Sequence, residues 1–263
     1  MLPSVDCRTA GIGRLIAALR NQSPQLWHTC NMRIFSQAWL LVLLAACSGS
    51  AEPQAPETVH LFNGSDLEGW HADVPEADGT PDIAASFSVR DGLLISHGSP
   101  QGHLLTDAFF SNYELIVEYR WPGEGGNCGV LVHASLPRML YGMFPQSIEC
   151  QMHAGNAGDF WCIGENIAVE NMAERRNGDP ATWTGQEGAN RHIRNLTDDS
   201  EKPLGEWNTM KIVCRDQTIN IWVNEDHVMS GFDCTATSGS VAIQAEGTPC
   251  EFRRIDLTPL PVE

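Results

Sequence analysis

Residues 147–153 read Ser-Ile-Glu-Cys-Gln-Met-His, a stretch in which apolar and polar side chains alternate. Successive side chains of a β-strand point to opposite faces of its sheet, so the pattern predicts a strand with one apolar face. The other face carries Glu149, Gln151 and His153 in a row, about 6–7 Å apart at a rise near 3.3 Å per residue. A carboxylate, an amide and an imidazole are groups that transfer and orient protons. The row is therefore the first candidate for an active site.

Two other predicted strands can bring polar side chains to the same side. Alternation in residues 127–134 puts His133 on the face of Asn127 and Gly129, over the same concavity. Alternation in residues 239–247 puts Gln244 and Glu246 on one face. An ordinary solvated face of an antiparallel sheet would show the same pattern, and a lone histidine is often structural.

The elements that would position these groups are short β-runs separated by turn residues. Asp91-Gly92 lies between two such runs and predicts a hairpin. One short helix is expected, around residues 166–176. Many short strands without βα alternation predict an all-β fold, an antiparallel sandwich. The predicted strands cover residues 87–90, 93–96, 113–121, 127–134, 147–153, 209–216, 218–232, 239–247 and 250–260.

Residues 171–206 form a long polar, turn-rich stretch with a single tryptophan, Trp183. A loop of this length in a compact domain is usually functional or disordered. It is either a flap over the site, with Trp183 as a stacking platform, or a surface excursion.

The amino-terminal region predicts a secreted, lipid-anchored protein. Residues 32–47 combine a Met, a basic residue, a short apolar run and a small-residue end, and Leu-Ala-Ala-Cys resembles the bacterial lipobox. We therefore expect a lipidated Cys47, a flexible tether at residues 48–57, and a body in the periplasm or outside the cell. Residues 1–31 would be an upstream mis-start. The alternative is a genuinely longer amino terminus with a chance Ala-Ala-Cys.

The chain is acidic, with a net charge of −17. Without residues 1–47, which hold four Arg and one Asp, it keeps 12 basic and 32 acidic residues, a net charge of −20. So negative a body argues against nucleic acid as a partner and favours a neutral ligand. Six further cysteines either pair outside the cytosol or remain buried thiols. They are Cys128, Cys150, Cys162, Cys214, Cys234 and Cys250.

The order of several segments resembles the 3-keto-disaccharide hydrolase domain. The segments are LFNGSDLEGW, NYELIVEYRWPGEGGNCGVLVHA, SIECQMHAGNAGDFWCIG, GEWNTMKIVCRDQTINIWVNEDHV and GSVAIQAEGTPCEFRRIDLTPL. The resemblance covers residues 58–261 and implies one jelly-roll sandwich domain of the concanavalin A-like lectin or glucanase type. The family often has Asn-Ser-Gly where Cys128 stands here, and an Arg where the strand ends at His133.

The resemblance further implies action on glycosides that carry a ketone at C3. Such a ketone makes the C2 proton acidic, so a base can start elimination of the aglycone at C1, followed by hydration. Direct hydrolysis would instead need two carboxyl groups flanking C1. We expect Glu149, His153 and Glu246 to be catalytic; a His or Glu is frequent in the family at the last of these positions.

The remaining site predictions concern substrate binding. Asp159 can orient a histidine or bind a hydroxyl group, and Trp161 can stack on a sugar ring. The full set of predicted substrate-binding residues is Gln151, His133, Asp159, Trp161, Gln244 and Trp183.

A divalent metal ion is conceivable but unassigned. Glu149, His153, His133 and Glu246 would supply nitrogen and oxygen ligands, although no zinc-type spacing is present. Two non-enzymatic alternatives stay open: a carbohydrate-binding lipoprotein with a lectin-like sandwich, and a cell-surface scaffold.

Overall fold

The computed structural model describes residues 56–80 and 83–261. Alternating burial explains the strands: Tyr113–Arg120 and Asn208–Arg215 each bury every second side chain. The strands are β1 (Val59–His60), β2 (Trp70–Asp73), β3 (Phe87–Arg90), β4 (Leu93–Ser96), β5 (Gly102–Thr106), β6 (Tyr113–Arg120), β7 (Gly129–Leu140), β8 (Phe144–Gln151), β9 (Phe160–Ile163), β10 (Ala168–Val169), β11 (His192–Ile193), β12 (Asn208–Arg215), β13 (Thr218–Val223), β14 (Asp226–Phe232), β15 (Ser240–Ala245) and β16 (Cys250–Pro259).

Two sheets make up the described part of the chain. The larger has nine strands in the order β10-β14-β13-β12-β6-β16-β4-β3, with β1 also paired to β16. The smaller has seven, in the order β11-β9-β8-β7-β15-β5-β2. Neighbouring strands are antiparallel in both. The predicted all-β antiparallel sandwich of the jelly-roll type is confirmed.

The main core lies between the sheets and contains side chains from both, such as Leu115 and Ile212 of the larger sheet and Val130 and Ile148 of the smaller one. Full burial of such a side chain stabilises the fold by about 1.5–3 kcal/mol. A second, smaller apolar cluster covers part of the opposite face of the seven-stranded sheet. That outer face is therefore apolar at one end, and the polar groups occupy the rest.

Most predicted strand boundaries agree with the structure to within a few residues. The hairpin at Asp91-Gly92 is confirmed, and both residues have positive φ, as a tight two-residue turn requires. The strand predicted at 147–153 is β8, which begins at Phe144 and ends at Gln151. The helix expected around 166–176 is reduced to a single turn, Met172–Arg175.

Residues 171–206 are organised rather than extended over the surface. They contain the helical turn, a 3-10 turn at Pro180–Thr182, and β11, which pairs with β9. The buried guanidinium of Arg176 donates to the Asn190 carbonyl at 2.6 Å, to Asn166 Oδ1 at 2.8 Å and to the Thr184 carbonyl at 2.9 Å. Hydrogen bonds from a charged donor are about twice as strong as neutral ones, so Arg176 ties this stretch together.

The six cysteines of the described region are all buried free thiols. Of the two alternatives that the sequence left open, disulfide pairing and buried thiols, the structure shows buried thiols. The predictions for residues 1–31, for the signal segment 32–47 with Cys47, and for most of the tether lie outside the described residues. Within 56–80 and 83–261, no helix is long and apolar enough to cross a bilayer.

Candidate active site

The outer face of the seven-stranded sheet carries buried polar side chains from three strands, β8, β15 and β5, with β7 lying between β8 and β15. Glu149 and Gln151 come from β8, Gln244 from β15, and His103 from β5, where it is the direct partner of Gln244. Ile148 and Cys150, which alternate with the β8 pair, lie in the core. We call the part of the outer face that bears Glu149, Gln151, Gln244 and His103 the site face.

Glu149 is the central ionisable group of the site face. It is 4% exposed and lies between Leu131 of β7 and Trp161 of β9, its partners in the sheet. Burial raises the pKa of Glu149 to about 8, and the negative charge of Glu246 adds to the rise, whereas Arg191 opposes it. A carboxyl group with a pKa near neutrality is suited to proton transfer.

Gly129 makes room for the Glu149 carboxyl group. A Cβ atom at Gly129 would lie 2.5 Å from Glu149 Oε1, far inside van der Waals contact. A glycine at position 129, in the Asn-Cys-Gly segment, therefore leaves the space that the carboxyl group of Glu149 occupies on the neighbouring strand.

The site face holds several buried polar atoms that lack a hydrogen-bond partner among the described residues. They are Glu149 Oε1, Gln244 Oε1 and both ring nitrogens of His103, and Asn127 Oδ1 beside the site face is a further one. Leaving a buried donor or acceptor unpaired costs about 1–3 kcal/mol, so native folds rarely collect such atoms without a use. Their concentration on one face indicates groups held ready for a polar ligand.

His103 is a site-face residue that the sequence prediction missed. It is fully buried, and burial lowers its pKa to about 4, so the imidazole is neutral at neutral pH. Its ring meets Phe144 edge to face at 5.5 Å. A neutral imidazole can both donate and accept a hydrogen bond.

Arg191 is the second residue that sequence reasoning missed. Its guanidinium lies 5.2 Å from the centre of the Trp161 ring and 5.6 Å from that of Tyr141. The positive charge of Arg191 lowers the pKa of both Glu149 and Glu246, against the rise that burial causes. Arg191 therefore lies close enough to act on both carboxyl groups. The available signal was an Asn-Arg-His-Ile-Arg-Asn cluster of basic residues within an acidic chain.

Asp159 positions the segment that carries Arg191. Its Oδ2 lies 2.6 Å from His192 Nε2, and its Oδ1 accepts from the backbone and side-chain nitrogens of Asn195 at 2.7 and 2.6 Å. His192 in turn stacks on Trp161 with ring centres 4.5 Å apart. Of the two predicted roles, orienting a histidine is the one seen. Both carboxylate oxygens have protein partners, so hydroxyl binding is not what this geometry supports.

Glu246 and His153 flank the site face at the ends of its strands. Glu246 follows β15 and accepts from Asn127 Nδ2 at 2.8 Å, and burial raises its pKa while Arg191 opposes the rise. His153 is exposed because β8 ends at Gln151; its Nδ1 lies 3.2 Å from the Ala154 carbonyl oxygen. Of the row predicted from alternation, Glu149 and Gln151 therefore lie on the strand, and His153 lies in the turn that follows it. His153 nevertheless lowers the pKa of Glu246 by its charge.

The position predicted for His133 is wrong. A bulge between Val132 and Ser135 interrupts the alternation of β7, and His133 takes a φ of +55°. Its ring packs edge to face on the core residue Tyr113, and its Nδ1 lies 2.8 Å from the Ala236 carbonyl oxygen. His133 is therefore turned away from the site face.

Trp183 is also apart from the site-face groups. Its indole Nε1 donates to the Asn177 carbonyl at 2.8 Å, and its own carbonyl accepts from Asn166, so its polar contacts lie within and beside residues 171–206. The stretch does reach the site, but through Arg191 and His192. The contacts of Trp183 give no support to it as a stacking platform, and the flap stays a prediction.

The metal-ligand set considered from the sequence does not assemble. His133 faces the core and His153 lies in an exposed turn, so neither joins Glu149 and Glu246. Across residues 56–80 and 83–261, no group of three or more histidine, cysteine or acidic side chains has the geometry to hold an ion.

Comparison with known proteins identifies the family and the fold of the chain. The 3-keto-alpha-glucoside-1,2-lyase-like domain matches residues 57–258. Two crystal structures from Parabacteroides distasonis ATCC 8503, both of candidate glycosyl hydrolases, share the fold. One is 18% identical with a TM-score of 0.52, covering 78% of this chain and 94% of the other. The second is 23% identical with a TM-score of 0.51, covering 78% and 100%.

No protein with a curated description matches the sequence. At these identities the two structures show a shared fold and nothing finer, whereas the family match spans most of the chain. It supports a carbohydrate-active function. The chain belongs to the 3-keto-alpha-glucoside-1,2-lyase-like domain family.

Proposed function

We propose that the protein cleaves 3-keto-glycosides by elimination across C1 and C2, with the site face as its active site. The observation that supports this most directly is Glu149: a buried carboxyl group with an unpartnered oxygen and a pKa of about 8, within the field of Arg191. Abstraction of a proton next to a ketone needs a strong carboxylate base and a positive group near the ketone oxygen.

In the proposed reaction, deprotonated Glu149 takes the C2 proton, and the C2–H electron pair becomes an enolate whose oxygen lies near Arg191. The enolate collapses to a C1–C2 double bond, and the C1–O pair departs with the leaving oxygen. Glu246, whose pKa is raised by burial, protonates that oxygen. Atoms and electrons balance without water, and a later addition of water to the double bond gives net hydrolysis.

Elimination is proposed over direct displacement because the chain belongs to a 3-keto-alpha-glucoside-1,2-lyase-like family, and a ketone at C3 makes the C2 proton acidic. Glu149 and Glu246 both belong to one sheet face, on β8 and just after β15, where one can act as the base and the other as the acid. Gln151, Gln244 and His103 then supply donors and acceptors for the sugar hydroxyls, and Trp161 supplies an apolar ring.

The direct test is turnover of a chromogenic 3-keto-glucoside by the purified chain, with EDTA and with added Mn²⁺, Ca²⁺ or Zn²⁺. We expect turnover by the wild type and its loss in Glu149→Gln. A folded protein that binds the sugar in every lane but never cleaves it would instead support the carbohydrate-binding alternative.

We further propose that the body is held at a bacterial membrane by a lipid on Cys47. The support is the signal-like layout of residues 32–47. Metabolic labelling with a palmitate analogue should mark the wild-type protein and leave Cys47→Ser unlabelled; equal labelling of both would refute the anchor.

A further inference from the structure

A cavity of about 470 Å³ lies next to the site face. Its lining includes Glu76, Ser99, Gln101, Tyr141, Met143 and Gly247. Its size falls within the range of small-molecule sites, about 300–1,000 Å³. None of the predicted catalytic residues lines it, so the cavity is a separate space that borders the site.

Three of its walls adjoin groups of the site. Gly247 directly follows Glu246, the proposed donor to the leaving oxygen, and Gln101 precedes the strand that carries His103. Tyr141 lies on the third side, and the centre of its ring is 5.6 Å from the guanidinium carbon of Arg191. A group that leaves C1 towards Glu246 therefore departs in the direction of this cavity.

Tyr141 occupies a backbone position that its residue type does not favour. It forms the tip of the β7–β8 hairpin with Gly142, at φ values of +52° and +64°. Two positive φ values define a turn in which Asn-Gly is strongly preferred, because a bulky residue is strained there. The tyrosine is nonetheless 56% exposed. A strained and exposed aromatic ring at a cavity wall is explained if the ring contacts a ligand.

Backbone contacts hold the part of the lining formed by Gly98 and Gly247 in place. Gly247 N donates to the Gly98 carbonyl at 2.6 Å. A Cβ atom on Gly98 would lie 2.4 Å from Thr248 N, so the two loops approach as closely as glycine allows. The cavity is thus largely formed before any ligand enters.

We infer that this cavity is the subsite for the leaving group, and that it takes an uncharged pyranose ring stacked on Tyr141. This inference rests on the proposed function. Gln101 and Ser99 supply polar groups for hydroxyls, and Met143 and Tyr141 supply apolar surface. Glu76 is the acidic side chain of the lining, so an anionic leaving group would meet repulsion.

The test compares two substrates of the full-length chain, a methyl 3-keto-glucoside and a 3-keto-disaccharide. The methyl group is too small to reach Tyr141, whereas the second sugar extends into the cavity. We expect kcat/KM to be about tenfold higher for the disaccharide, which corresponds to about 1.4 kcal/mol of stacking on Tyr141. Tyr141→Ala should remove this preference, and Tyr141→Phe, which keeps the ring, should retain it.

Leu136→Ala is the matched control, because Leu136 is exposed on the same hairpin but outside this cavity; it should leave the preference unchanged. Equal kcat/KM for both substrates, or a preference that survives in Tyr141→Ala, would overturn the subsite while leaving the proposed function intact. If neither substrate is cleaved, the proposed function fails, and a binding experiment then tests the subsite. In saturation-transfer NMR with the unoxidised disaccharide, magnetisation should pass from the wild-type protein to both sugar rings, and in Tyr141→Ala the transfer to the second ring should be lost. No transfer to the second ring in the wild type would refute the subsite.

Discussion

Replacing Glu149 by glutamine tests the site through both activity and stability. Glutamine has the shape of the carboxyl group but cannot accept the C2 proton. General-base catalysis contributes about 10²–10⁴-fold, so we expect kcat to fall by that factor. In the wild type, kcat/KM should rise as Glu149, with a pKa of about 8, loses its proton, because only deprotonated Glu149 is a base. It should fall again at the pH where Glu246 loses the proton that it donates to the leaving oxygen.

The stability of the same variant has a definite pH dependence. The folded state keeps the Glu149 proton up to a pH of about 8, whereas the unfolded chain loses it near 4.5. Between these values the folded state binds more protons, so wild-type stability falls as pH rises. At about 1.4 kcal/mol per pH unit, the loss amounts to at most about 5 kcal/mol. Glu149→Gln removes this term and should gain stability relative to the wild type across the window.

The assay is urea unfolding of both proteins at a series of pH values from 4 to 9. The measured quantity is the difference between their free energies of unfolding, because the contributions of the other titrating groups cancel in it. Glu225→Gln, at an exposed turn position, is the control and should show no such trend. A constant difference between wild type and Glu149→Gln across this range would refute the buried, uncharged carboxyl group. Unchanged kcat would refute its role as the base.

Three further predictions concern the residues that position the site. Gly129→Ala should lower kcat by about 10²-fold with an unchanged circular dichroism spectrum, since its Cβ displaces the Glu149 carboxyl group; wild-type kinetics would show that the space is not needed. Asp159→Asn should reduce both kcat and the thermal midpoint, because it weakens charged hydrogen bonds worth about 1.5–3 kcal/mol each; an unaltered midpoint would argue against the positioning role. Arg176→Met should make residues 171–206 the first site of limited proteolysis, by removing three hydrogen bonds; an unchanged cleavage pattern would contradict it.

The fold was largely predictable because period-two alternation dominates this chain. Strands such as Tyr113–Arg120 carry their own burial pattern, and Asp91-Gly92 encodes its own turn. The same logic placed Glu149, Gln151 and Gln244 on one side of a sheet. It failed at His133 and His153, because alternation has no meaning across a bulge or beyond the end of a strand.

The missed groups share a different cause. His103 is in a strand whose five residues are all buried, so period-two patterning gives no sign that one face is polar. Arg191 belongs to residues 171–206, and its approach to the site depends on β11 pairing with β9, a contact between segments about 30 residues apart. Trp183 is the only tryptophan of residues 171–206, which favours it as a stacking platform, but its conformation is set by local hydrogen bonds.

The most direct measurement of the central claim is the kinetic isotope effect at C2 of a 3-keto-glucoside, with the product identified by NMR. If Glu149 removes the C2 proton, the 2-deuterated substrate should react several-fold more slowly, and the first sugar product should be the C1–C2 unsaturated ketone. Glu149→Gln should give neither product nor solvent exchange at C2. A normal rate with the deuterated substrate, together with direct release of the saturated 3-keto sugar, would contradict elimination and assign the chemistry to displacement at C1.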